Sequence, residues 1–226
     1  MAPSLDTRSA ALIGSMLVLG ISHGLGPDHC LAVAALSVRQ GRAAAVKAAL
    51  RFGLGHSLVL FAFAALLRSV GGTLSPSFER AGEIANGTLL LLFGIGLFID
   101  RLSPVLGSHS HSHQAHDHGH VHAAPGHGDA LRRSGHGAVA VGGLFALSGI
   151  RSAALAVPLA FEGRPLPALL GLFAFGVGVV ASMVAYGVAL ALLQRAMGST
   201  GVTERGMRRM LGATSAAFGC YWLAIA

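Results

Sequence analysis

Charged residues are scarce in this 226-residue chain: Asp, Glu, Lys and Arg make up 11%, whereas hydrophobic residues make up 53%. Soluble domains usually carry about a quarter charged residues. The two cysteines, Cys30 and Cys220, are isolated in sequence, which argues against a disulfide framework. The chain has neither the Gly-x4-Gly-Lys-Ser/Thr pattern of ATP-binding loops nor the His-Glu-x-x-His pattern of zinc hydrolases. These absences argue against a soluble domain and an ATP-driven protein.

Long apolar stretches make up most of the chain. A helix needs roughly 20 apolar residues to cross a hydrocarbon core of about 30 Å, because it rises about 1.5 Å per residue. Stretches that meet or approach this length cover about residues 10–36, 48–70, 84–102, 136–160, 166–194 and 207–226. The sequence therefore predicts an all-α polytopic membrane protein with about six transmembrane helices.

The basic residues are distributed unevenly between these spans. If the spans alternate, eleven of the sixteen Lys and Arg residues lie on one side, while Arg8, Arg68, Arg80 and Arg164 lie on the other. Positive charge marks the cytoplasmic side, so both termini are expected outside a bacterial inner membrane. This topology also explains the net charge of +7 without a nucleic-acid partner. The sixteenth basic residue, Arg151, falls inside a span.

A histidine-rich segment separates the first three spans from the last three. We predict a first three-helix half over 1–102, a cytoplasmic loop over 103–136 and a second three-helix half over 137–226. The segment is rich in Ser, Gly and Ala, which predicts a mobile loop. Eight of its histidines are candidate auxiliary metal ligands: His109, His111, His113, His116, His118, His120, His122 and His127. A ninth, His136, ends the segment, and a simple solvated linker is the alternative interpretation.

The two halves show a weak internal similarity. A shift of 123 positions places residues 26–28 over 149–151 and residues 52–55 over 175–178. Because each half would hold an odd number of spans, such a repeat would be inverted across the membrane, as in many secondary transporters. We therefore predict a 3+3 inverted repeat, with chance matching between glycine-rich segments as the alternative.

Three ionisable residues, His23, Asp28 and His29, interrupt the first apolar stretch. Ionisable side chains at membrane depth are costly, so such a cluster predicts a functional site. Gly24 to Pro27 lie within it, and proline suits the first turn of a helix because it lacks an amide hydrogen. The first helix should therefore break near these residues, which would bring the polar side chains together.

His56 and Ser57 follow in the second span, beside glycines that permit close helix approach. His56 could join the first cluster, or it could simply hydrogen-bond a neighbouring helix. Three imidazoles and the Asp28 carboxylate suit nickel, cobalt, zinc or copper better than magnesium or calcium. Cys30 is a less favoured ligand and otherwise a small buried apolar residue. Asp28 could instead pair with Arg151 across the two halves, where Arg151 would have a structural or gating role.

The spacing His23-x4-Asp28-His29, followed by Leu54-Gly-His-Ser57, resembles the nickel/cobalt transporter family, NiCoT, also grouped as NicO. In that family both motifs are associated with metal selectivity and transport. The resemblance covers about residues 20–60 and implicates His23, Asp28, His29 and His56, with Ser57 in support. Six spans and a histidine-rich cytoplasmic loop are more similar to the efflux branch than to the importers, which have more spans and later acidic motifs.

We therefore expect a transporter, not an enzyme, that moves Ni²⁺ or Co²⁺ as its substrate across the inner membrane, with export favoured over import. It should need no cofactor, and its partners should be the ion and the lipid bilayer, with a homo-oligomer or an accessory subunit as further candidates. Energy would come from a gradient or a separate subunit. Two alternatives stay open: a membrane-embedded zinc-dependent hydrolase, and a metal sensor or chaperone centred on the histidine-rich loop.

Overall fold

The structure is a computed structural model that describes residues 6–37, 42–70, 75–99, 137–147, 165–198 and 204–226. Within these ranges all regular secondary structure is helical, as the sequence predicts. The described residues form α1 (Thr7–Gly24), α2 (Pro27–Ser37), α3 (Arg42–Val70), α4 (Pro76–Ile99), α5 (Gly137–Leu147), α6 (Pro165–Gly198) and α7 (Glu204–Ile225). The predicted loop at 103–136 and Arg151 lie outside the described residues.

Within the part of the chain that the structure describes, three helices, α3, α4 and α6, are long and apolar enough to cross a membrane. The number rises to four when α1 and α2 are taken as one broken span. Side chains on the outside are often apolar, and Leu58, Phe173 and Leu192 are each more than 60% exposed. This surface and the long helices indicate a membrane protein. Six spans and an inverted repeat are not confirmed by the described residues and stay predictions.

The predicted break in the first span is present. Helix α1 ends at Gly24, and the amide of Gly26 donates to the carbonyl of His23 at 2.9 Å. Helix α2 begins at Pro27, where a missing amide hydrogen leaves no donor unpaired. The carbonyl of Gly26 then accepts from the amide of Cys30 at 3.0 Å, which closes the first turn of α2. The two helices bend by 55° at this break.

Helix α2 lies among the other helices and contacts α3, α4, α6 and α7. Its buried residues occupy most of its circumference and include Ala32, Val33, Ala34 and Leu36. A helix that is apolar on all sides is typical of a buried position. The polar start of α2, at Asp28 and His29, is therefore held inside the protein and away from lipid.

Helices α3 and α5 cross at very short range through glycines. A Cβ atom on Gly55 would meet the backbone carbonyl of Val139, and one on Gly142 would meet that of Phe52. Apolar burial does not drive helix association within lipid, so small residues that let backbones approach are typical of such crossings. This crossing fixes the segment of α3 that carries His56.

Candidate metal centre

Three histidines from three helices converge in the structure. One ring nitrogen from each of His23, His29 and His56 lies within 4.8 Å of the other two. The Nε2 atoms of His23 and His56 are 3.2 Å apart, and the ring centroids of His29 and His56 are 4.7 Å apart. His23 lies in the last turn of α1, His29 in the first turn of α2, and His56 within α3. We call these three residues the histidine triad.

The helix break brings the first two members together. His23 lies in the last turn of α1 and His29 in the first turn of α2, with ring centroids 4.9 Å apart. Gly26 lies between them and must lack a side chain, because a Cβ there would be 2.7 Å from Asp28 Oδ1 and 3.3 Å from His29 Nδ1. The local sequence therefore explains both the change of direction and the space that the rings occupy.

Asp28 lies behind the histidine triad and not within it. Its Oδ1 accepts a hydrogen bond from His29 Nδ1 at 2.8 Å, and its Oδ2 accepts one from Asn86 Nδ2 at 3.1 Å. When Nδ1 carries the proton, Nε2 of His29 carries the lone pair. That Nε2 atom is buried and has no hydrogen-bond partner among the described residues. A histidine oriented by a carboxylate is the usual arrangement behind a bound transition metal.

Three phenylalanines enclose the rings. Phe52, Phe145 and Phe175 come from α3, α5 and α6, and each is at most 1% exposed. The ring centroid of His23 lies 5.5 Å from that of Phe175, and that of His29 lies 5.9 Å from Phe52. These rings keep water away from the triad, which strengthens electrostatic interactions there. His56 and His29 are buried, whereas His23 is half-buried and offers the accessible side of the triad.

Two other predicted residues lie near the triad but outside it. The hydroxyl of Ser57 donates to the carbonyl of Gly176 at 3.2 Å, so it links α3 to α6. The thiol of Cys30 donates to the carbonyl of Leu25 at 3.7 Å, beside the helix break. Arg151 and the histidines at 109–127 lie outside the described residues, so their predicted roles stay predictions.

The chain shares a partial likeness with one curated protein. It is 28% identical over 109 residues to the urease accessory protein UreH of Bacillus sp. (strain TB-90). The matched segment covers 48% of this chain and 45% of UreH, so the chain spans about half the length of the curated relative it matches. No protein family and no solved structure matches the chain.

Sequence reasoning missed Asn86, which reaches Asp28 from α4 and is fully buried. A signal was present, because an amide within a long apolar stretch is unusual and must find a hydrogen-bond partner. That signal is weaker than the one from His23, Asp28 and His29, because Asn86 carries no charge and is the only amide side chain in its span. The enclosing phenylalanines carried no signal, since Phe52 and Phe175 are ordinary residues of apolar helices.

Proposed function

We propose that this protein carries Ni²⁺ or Co²⁺ across a bacterial inner membrane and binds the ion at the histidine triad. The observation that carries this proposal is the convergence of His23, His29 and His56 at a break in a membrane helix. Discontinuous helices often build the binding sites of secondary transporters, where the ion must be bound and then released. The likeness to a urease accessory protein supports a role related to nickel or cobalt transport.

The donor atoms favour a transition metal. Imidazole nitrogen suits nickel, cobalt, zinc and copper, whereas calcium and magnesium prefer oxygen ligands. Because both oxygens of Asp28 already accept hydrogen bonds, the triad presents neutral nitrogen ligands with one negative charge behind them. Such a set would bind a dication without the closed thiolate cage of a permanent structural site.

Matched glycine contacts support the inverted repeat as part of this proposal. The same contact, a glycine facing a carbonyl of the neighbouring helix, joins the two halves at two crossings: Gly55 with Val139, Gly142 with Phe52, Gly178 with Leu17 and Gly20 with Phe175. Shifts of 122 and 123 positions relate these pairs. The α3–α5 crossing thus has a counterpart in the α1–α6 crossing. Two equivalent halves around one site would allow the ion to be exposed to each side in turn.

The hydrolase alternative is less well supported. Three histidines are also the ligand set of some catalytic zinc sites. Hydrolysis additionally needs a base beside the metal-bound water. Asp28 is the carboxylate that adjoins the triad in the described part of the chain, and both of its oxygens are engaged. Transport therefore explains the arrangement better.

Transport can be measured directly with purified protein in liposomes that contain a fluorescent metal chelator. External Ni²⁺ or Co²⁺ should reach the chelator faster than in liposomes without protein. In intact cells that express the chain, export predicts lower cellular nickel or cobalt than in vector controls, and import predicts higher. Equal fluxes with and without protein, tested with both metals and both directions of the gradient, would contradict the proposal.

Deletion of residues 108–127 separates a carrier from a loop-centred sensor. We expect the shortened chain to retain measurable metal flux, because the triad lies outside the deleted segment. Flux at low metal concentration should fall modestly if the loop histidines collect ions. Replacement of the same segment by Gly and Ser residues of equal length is the matched control for loop length. Complete loss of flux in both variants would favour the sensor interpretation.

A further inference from the structure

Asn86 links α4 to the carboxylate of Asp28 beside the triad. Its side chain is fully buried, and its Nδ2 donates to Asp28 Oδ2 at 3.1 Å across 58 positions of sequence. The orientation of this amide follows from chemistry, because an ionised carboxylate can only accept and Nδ2 is the donor end. Asn86 therefore holds the one carboxylate oxygen that His29 leaves free.

This contact is the outer of two consecutive hydrogen bonds that lead from α4 to the triad. Asn86 holds Oδ2 of Asp28, and Asp28 holds Nδ1 of His29 through Oδ1. With both oxygens held, the carboxylate plane is fixed, and the ring of His29 is fixed with it. The lone pair of His29 Nε2 then stays directed away from Asp28. Partners of this kind usually change metal affinity by about 10–100-fold when removed.

A second observation shows that Asn86 is not simply a satisfied polar residue. Its Oδ1 is buried and has no hydrogen-bond partner among the described residues. A half-satisfied buried amide costs free energy that an apolar residue in α4 would avoid. The bond to Asp28 is therefore the feature that explains an amide at this position.

We propose that Asn86 is a positioning residue of the metal site. It fixes Asp28, so that Asp28 orients His29 toward the ion and stays out of the coordination shell. This inference rests on the proposed function, since it assumes that the triad binds Ni²⁺ or Co²⁺. It adds a residue that contacts no metal and that acts through Asp28.

The test is a titration of the full-length purified protein with Co²⁺, followed by visible absorption. Every sample carries serine in place of the nine histidines at 109–136, so that the three histidines of the triad are the ones that remain. Asn86→Leu removes the donor but keeps a similar volume, and Asn86→Ala serves as a second variant. We expect each to weaken Co²⁺ binding by about tenfold or more. In an Asp28→Ala background, which already lacks the carboxylate, neither change should weaken binding further.

Thr88→Ala is the matched control, because Thr88 is an exposed polar residue of the same helix whose hydroxyl donates to Ile84. Its Co²⁺ affinity should equal that of the parent protein. The inference is overturned if both Asn86 variants bind Co²⁺ as tightly as the parent. It is also overturned if their effects are as large without Asp28 as with it, since Asn86 would then act through general packing. If the parent protein itself binds no Co²⁺, the proposed function is overturned together with this inference. If the parent binds Co²⁺ and the Asn86 variants bind it equally well, only the role of Asn86 is overturned.

Discussion

Replacing His56 with alanine should reduce nickel and cobalt flux in proteoliposomes to the level of protein-free liposomes. The ring of His56 is fully buried, and its Nε2 lies 3.2 Å from that of His23. Its removal leaves two imidazoles at the site. Two nitrogen ligands compensate a dication for fewer lost water molecules than three do. We expect Co²⁺ affinity to fall by more than the roughly 100-fold that loss of an outer partner can cause.

Ser15→Ala is the control for this experiment, because Ser15 is exposed on α1 and its hydroxyl donates to Ala11 within the same helix. It should transport like the parent protein. His56→Gln, which keeps a polar side chain of similar length, tests whether loss of packing explains the result. Normal flux in His56→Ala would remove the triad from the transport pathway.

Gly26→Ala should weaken Co²⁺ binding by about 10–100-fold while the helices remain folded. The added methyl group would lie 2.7 Å from Asp28 Oδ1, the atom that accepts from His29. The carboxylate must move, and it would release the His29 ring from its orientation. The shortest contact is to the end of a side chain, whereas the nearest backbone atom, the carbonyl oxygen of His23, is 3.1 Å away. We therefore expect a larger effect on Co²⁺ affinity than on folding. A Co²⁺ titration and a thermal melt would measure the two effects separately.

Gly14→Ala provides a matched control within α1, since a Cβ on Gly14 would meet no atom within 4 Å. It makes the same chemical change without a collision, and helix propensity alone should stabilise it slightly. The explanation is wrong if both substitutions change Co²⁺ affinity equally. It is also wrong if the thermal melt shows that Gly26→Ala is unfolded under the conditions of the titration, since loss of the fold would then explain the loss of affinity.

The position of Asp28 suggests how tight binding and release could be combined. A carboxylate in direct contact with a dication would hold it strongly in a site from which water is excluded. In the proposed function, Asp28 would stabilise the ion from behind His29 and leave only neutral ligands to exchange. On the same proposal, the half-buried His23 would be the first ligand to meet an arriving ion, and the buried His56 would be the inner ligand.

Local patterns in the chain were sufficient for the helical class and for the break in the first span. Length and apolar composition predict helices, because backbone groups in lipid must be paired within one segment. Gly26 and Pro27 predict the break, because their backbone preferences act over a single turn. The same reasoning singled out His23, His29 and His56 as rare polar residues in apolar surroundings.

Contacts between distant segments lie beyond such patterns. Asn86 reaches Asp28 from 58 positions away, and the phenylalanines around the triad come from three helices. Sequence spacing placed Asp28 among the candidate ligands, yet both of its oxygens face other partners once the helices pack. The residue types thus determine which metal ligands the chain contains, because the donor atoms of a side chain depend on that residue alone. Which atoms point at a shared ion follows from helix packing, because that orientation depends on neighbours that no local stretch contains.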